Sequence, residues 1–423
     1  MSIDNNRGYF NREYSLKMWM FESPTYNFSI SLSTSLVQPL GIRILGMDIA
    51  LLGVLTAVQL SFVGFGAIIG TSIILRYRYS RKKLWLFFGA INRIGWASII
   101  FADLVPSYSA KLLTFYSAVA VSQMSGAIAG IAAGDVGADI VTRDRAPKFF
   151  GRLNSLNNTA SLISLAASIV VFLYLGGGSR DAYWVLYILS LVAAIISTIF
   201  LKMIRDDPGV VAALKPVGSA GLMNLVSIYR DMARSRGVKE YILIILLYTV
   251  AVNFPASIWN YYLIYSIGGD EVWITSKMAT VYLVKALILG IWPFIVDRYG
   301  TRIIFTTTLV MISPIPILFM VARSLASQIL LEIYSSVWWS SWDLLTGLYN
   351  LYLFPRDVRP IALSIIVFST NMGASSASII GSIISSSIPY GSEITFTLSA
   401  LSRALVSLLA FKKLPLLDLK IKQ

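Results

Sequence analysis

Neither a cysteine nor a histidine occurs in the 423 residues, so the chain has no thiol nucleophile, no disulfide framework and no His-based zinc site. Any side chain that loads and releases a proton must therefore be an Asp or a Glu. The acids best placed for such a role share a helical stripe. At a period of 3.6 residues, Glu332, Ser336, Trp339, Asp343, Thr346 and Asn350 fall on one face, while Leu330, Leu331, Ile333, Val337, Leu344, Leu345 and Leu348 lie mostly elsewhere. Trp338, Trp339 and Trp342 flank Asp343 and would give flat, amphipathic walls suited to a sugar ring or an organic cation. Packing or interfacial anchoring is the competing reading of these tryptophans. Asp343, Glu332 and Glu22 are the candidates to carry a coupled proton; for Asp343 the alternative is a permanent ion pair with Lys285.

Two milder polar stretches join this stripe. Asn27, Ser31, Thr34 and Gln38 recur along one run; their uncharged hydrogen-bonding groups suit a neutral polar solute, or equally hydrogen bonds between helices. Asn253, Trp259, Asn260 and Tyr261 surround Pro255, which can break a helix and free carbonyls. Lys285 and Asn371 complete the candidate binding residues. No enzyme constellation is present. The absence of a Gly-rich loop ending in Gly-Lys-Ser/Thr leaves no site for ATP, and neither a cofactor nor a metal is expected.

The elements that must position these residues follow from composition. With 56% hydrophobic and 13% charged residues and a mean hydropathy of +0.72, the chain reads as a polytopic helical membrane protein. Twelve spans can be placed, at about 18–40, 48–75, 84–102, 111–134, 154–175, 183–203, 241–265, 272–296, 303–322, 327–353, 360–386 and 393–411. An even number puts both termini on one side. Of the 35 Lys and Arg, with Lys111 and Lys202 at span ends counted in the adjoining loops, 27 then lie on that side, 4 in the opposite loops (Arg43, Lys111, Arg180, Arg323) and 4 within spans (Arg93, Lys277, Lys285, Arg403). This is the positive-inside pattern, so the termini are expected in the cytoplasm and the net charge of +14 points to the bilayer rather than to nucleic acid. Each intramembrane charge alone would cost at least about 2.5 kcal/mol, so partners or a wet cavity are expected for Glu22, Asp135, Glu332 and Asp343 and for the four bases.

Between spans eight and nine runs Asp297-Arg298-Tyr299-Gly300-Thr301-Arg302, a tight turn carrying an acid and two arginines. Arg78, Tyr79, Ser80 and Lys82 echo Arg298, Tyr299, Gly300 and Arg302 at an offset of 220, with Tyr77 in place of the acid. Asn27-Phe28 recurs as Asn253-Phe254, Gly46-Met-Asp48 as Gly268-Gly-Asp270 and Asn158 as Asn371, at offsets of 226, 222 and 213. The ordered series reads as a parallel repeat. Small residues every fourth position, at Gly126, Gly130 and Gly134, at Ala160, Ser164 and Ser168, and at Gly373, Ala377 and Gly381, suit close helix packing.

The Asp-Arg-x-Gly-x-Arg turn resembles the signature loop of the major facilitator superfamily. That resemblance implies an all-α fold of two six-helix bundles, here 1–203 and 241–423, joined by a cytoplasmic linker at 204–240. It implies a cavity surrounded by the first and fourth helices of each half, and a gating role for Asp297, Arg298, Gly300, Arg302 and Arg78. Asp297 is expected to dock on the start of span five, near Gly151 to Ser155. The function it implies is secondary active transport of a small molecule across the plasma membrane by a monomer, with protons as a candidate second substrate. An efflux pump for amphipathic compounds and a non-transporting sensor or scaffold on the same fold stand as alternatives. The family's Gly-Pro antiporter motif is missing from span five, which argues against drug-proton exchange.

Overall fold

The computed structural model describes residues 12–77, 80–141, 146–206, 237–354 and 359–417. Among the described residues the chain makes twelve helical traverses. The first half comprises α1 (Arg12–Ser35, continued by Val37–Arg43), α2 (Ile49–Arg76), α3 (Arg81–Ser98, ending in a 3-10 turn Ile99–Leu104), α4 (Tyr108–Ile140), α5 (Ala146–Leu175) and α6 (Arg180–Met203). The second comprises α7 (Val238–Asn253, resuming at Trp259–Tyr262), α8 (Glu271–Ile288 and Trp292–Tyr299), α9 (Thr301–Ile312 and Ile315–Val321), α10 (Leu325–Tyr352), α11 (Arg359–Ser387) and α12 (Gly391–Lys413).

Among the described residues eight of these helices are long and apolar enough to cross a membrane, and the two pieces of α8, bent by 56° beside Gly290 and Pro293, reach that length and apolarity only when taken together. The three that fall short are α1, α7 and α10, which carry the polar stretches or, in α7, the break at Pro255. A helix that lines water inside a bundle need not be apolar all round, which accounts for α1 and α10; α7 falls short by length, since Val238–Asn253 is 16 residues. The chain is a multi-pass membrane protein of the all-α class. The expected linker lies mostly outside the described residues, which omit 207–236.

The repeat seen in sequence is repeated in backbone. Gly46 and Gly268 adopt φ of 64° and 83°, conformations open to glycine, just before the second helix of each half. Asp48 then caps α2 by accepting from the Leu51 N–H at 2.8 Å, and Asp270 caps α8 by accepting from the Trp273 N–H at 3.0 Å. The small-residue stripes fare unevenly. A side chain at Gly381 would meet the Phe254 carbonyl at 1.8 Å, so α11 needs a glycine there to press on α7; Gly130 and Gly134 face open space, against expectation. The halves meet where α2 packs along α11 and α5 along α8.

Candidate functional site

On α10 the polar stripe divides by depth. Glu332 pairs with Lys277 of α8 at 3.3 Å, and Asp343 with Lys285 of α8 at 2.6 Å. The two pairs differ in setting. Lys277 is buried, and its ammonium also donates to Gln328 Oε1 at 2.8 Å, whereas the Asp343 side chain is 53% exposed. Trp342 is a packing residue, stacked on Tyr248 at 5.2 Å and edge-on to Phe305 at 5.5 Å. Trp339, half-buried, meets Trp342 at 5.8 Å and lines a cavity within the second half. Asn350 accepts from the Tyr241 hydroxyl at 2.9 Å.

The α1 residues scatter in role. Ser31, buried, donates to Ser161 of α5 at 2.8 Å, so it joins helices. Asn27 and Thr34 are half-buried and hydrogen-bond their own helix at Ser23 and Ile30. Asn253 does the same at Thr249, and Asn371 at Val367, with Asn371 close to Gly64 of α2 where the halves touch. Trp259 is wedged between Phe319 at 4.7 Å and Phe396 at 4.8 Å. Glu22 lies inside the first half, 2% exposed and ion-paired with Arg93, itself 4% exposed.

Gln38 and Asn260 belong to a closure between the halves. Asn260 donates to Gln38 Oε1 at 2.9 Å, and the Gln38 amide donates to the Ala256 carbonyl at 3.3 Å. Beside them Glu271 accepts from Arg43 Nε and from the Tyr183 hydroxyl, each at 3.0 Å. At mid-depth Ser61 donates to Ser375 at 2.8 Å. Among the described residues no hydrogen bond or ion pair joins the halves nearer the termini than this level. Among the described residues, the contacts that join the halves lie at mid-depth and on the side away from the termini.

No protein-family model matches the sequence, and no curated protein matches it significantly. Solved structures do. A D-xylose-proton symporter superposes with a TM-score of 0.73 at 12% identity, covering 96% of this chain and 98% of that one. A nucleoside transporter, NupG, gives 0.70 at 16%, over 96% and 100% of the two chains. An inward-facing bacterial homologue of the iron transporter ferroportin gives 0.71 at 13%, over 94% and 98%. The chain has the major facilitator fold.

In this major facilitator fold the turn at Gly300 forms as expected, with φ of 84° between α8 and α9. Arg302 donates to the Phe411 and Lys412 carbonyls at 2.8 and 3.2 Å, closing the end of α12, and Arg298 lies over the Tyr299 ring. The expected docking of Asp297 on α5 is not made: Asp297 is exposed and has no ion pair or hydrogen bond among the described residues. Arg78 lies outside the described residues. Its neighbour Arg81 is the organising cation of the first half, fully buried and paired with Asp135 at 3.1 Å, Asp139 at 2.5 Å and Asp206 at 2.8 Å. Arg81→Met should remove a buried cation that three acids share and lower the yield of folded protein on size-exclusion chromatography; an unchanged yield would show that these pairs are dispensable.

Sequence reasoning missed Arg81, Arg43 and Glu271. A signal for the last two existed: only four basic residues stand on the far side, and an isolated charge there needs a partner. All four have one, Arg43 with Glu271, Lys111 and Arg180 with Asp103 at 3.4 and 2.6 Å, and Arg323 with the Ser266 carbonyl at 3.1 Å.

Proposed function

We propose that the chain is a secondary transporter that moves a small organic solute across the plasma membrane by alternating access, and that it stands here in its inward-facing state. The carrying observation is the one-sided closure between pseudo-symmetric halves: the Gln38–Asn260 and Arg43–Glu271 contacts shut one side while Asp297 on the other has no partner among the described residues. With the termini cytoplasmic, a placement that the 27-to-4 distribution of bases supports, the open side is the cytoplasm. A lone cysteine placed at Lys412 should react with an impermeant maleimide in inside-out vesicles but not in intact cells; labelling from outside would reverse the assignment. A ligand-stabilisation screen over sugars, amino acids, carboxylates and cationic dyes tests the transporter reading itself, because a bound substrate stabilises the folded state.

Proton coupling is assigned to Asp343 and its partner Lys285. The pair faces the open side, and with the acid more than a third exposed its contribution to folding is small. Asp343→Asn is therefore expected to fold with an unchanged melting midpoint, to keep solute exchange and to lose pH-driven accumulation. Normal pH-driven accumulation in that variant would move the role to Glu332.

A further inference from the structure

The two halves treat a buried guanidinium differently. In the first, the triad α1, α3 and α6 encloses Arg93 and matches it with the carboxylate of Glu22, with Arg93 Nε donating to Ser197 at 3.0 Å. In the second, the corresponding triad α7, α9 and α12 encloses Arg403, 2% exposed, and supplies no carboxylate among the described residues. Its guanidinium donates to the Val252 and Ile312 carbonyls at 3.2 and 3.4 Å, and its Nε makes no hydrogen bond there. At the offset of 226 that relates Asn27-Phe28 to Asn253-Phe254, Glu22 corresponds to Tyr248, whose hydroxyl donates to the Leu309 carbonyl at 2.8 Å. The repeat has a phenol where the first half has the neutralising acid. A buried cation without an anion is costly, and structures that keep one supply the anion from elsewhere.

Arg403 lines a cavity of about 190 Å³ together with Trp259, Phe319, Leu331, Glu332 and Trp339. Glu332 does not neutralise it, because that carboxylate is engaged by Lys277 at 3.3 Å. With Glu332 balanced by Lys277, Arg403 stands on the cavity wall as a positive charge without an ion pair among the described residues. The space is far more than the ~10–15 Å³ one water needs and less than the ~300 Å³ at which drug-sized pockets begin. Aromatic and aliphatic walls favour an organic body over a hydrated inorganic ion.

We infer that this cavity binds a small amphipathic monocarboxylate, its carboxylate on Arg403 and its apolar body against Trp259, Phe319 and Trp339. This names a solute class for the transport reading and, as regards transport, rests on that reading; binding stands apart from it.

The test is the thermal unfolding midpoint of the purified full-length protein with butyrate and benzoate, against butyramide, benzamide and chloride. The carboxylates should raise the midpoint saturably, and the neutral amides and chloride should not. Arg403→Met removes the uncompensated charge at similar volume, so without ligand its midpoint should equal or exceed the wild type, while its affinity for benzoate falls by about ten- to a hundred-fold. Arg403→Lys keeps the charge and should retain part of the response. No response of the wild type to either carboxylate, an equal response to chloride, or an Arg403→Met protein that keeps its affinity would each overturn the assignment. So would an Arg403→Met protein that melts lower without ligand, since the guanidinium would then serve the fold through its carbonyl contacts. A failure here leaves alternating access untouched, because that is read at the gate.

Discussion

Glu22→Ala is expected to abolish most of the folded protein, and Glu22→Ala combined with Arg93→Met to restore it. Both partners are buried, at 2% and 4% exposure, and Arg93 also stacks over the Tyr26 ring at 4.5 Å. Removing the acid leaves a guanidinium in an apolar interior, a loss of about 3–5 kcal/mol, whereas removing both charges returns the site to an apolar core. Monodisperse yield and melting midpoint of the three proteins decide it. A single variant as stable as the wild type would show that water reaches Arg93 and that the pair is not structural; the coupling role once open to Glu22 would then return.

Glu271→Gln is expected to release the closed side. Glu271 is fully buried, its Oε1 accepts from Arg43 at the end of α1 and from Tyr183, both of the first half, and its Oε2 makes no hydrogen bond among the described residues. An amide gives up the charge-assisted bond to Arg43, worth about 1.5–3 kcal/mol. Two transport states separated by a few kcal/mol respond strongly to such a change, since each 1.4 kcal/mol is about tenfold in population. A cysteine at Ser257, fully buried beside the Gln38–Ala256 contact, should react with an impermeant maleimide from the far side at least about tenfold faster in the Glu271→Gln background. An unchanged rate would mean that Gln38 and Asn260 hold the closure without it.

Much of this architecture is legible in the chain. Twelve helical segments follow from runs bounded by charge, eight or nine of them long and apolar enough to cross a membrane among the described residues, and the repeat is carried by residues, Gly46, Asp48, Gly268 and Asp270, whose backbone roles are local and therefore readable. On the α10 stripe, Glu332 and Trp339 line one cavity, whereas the Asp343 side chain is 53% exposed. Partner choice was less legible. Ser31 and Asn27 share one stripe, yet Ser31 bonds α5 while Asn27 bonds its own helix. A helical period tells which residues share a face but not which neighbour that face meets. Lys285 was named for Asp343, but the pairs Glu22–Arg93 and Glu332–Lys277 join residues 71 and 55 positions apart, and only packing brings them together. Asp297 shows a different limit: its partner depends on which side is open, a property of state rather than of sequence.

The central claim is that closing one side opens the other. Spin labels at Ser107 and Ser387 report the far side, and labels at Ser155 and Tyr299 the terminal side; all four positions are exposed. On passing from the wild type to Glu271→Gln, the Ser107–Ser387 distance should lengthen and the Ser155–Tyr299 distance should shorten, bringing Asp297 toward the start of α5. Two distances that move in the same direction, or that both stay fixed while Ser257 becomes reactive, would contradict alternating access in this protein.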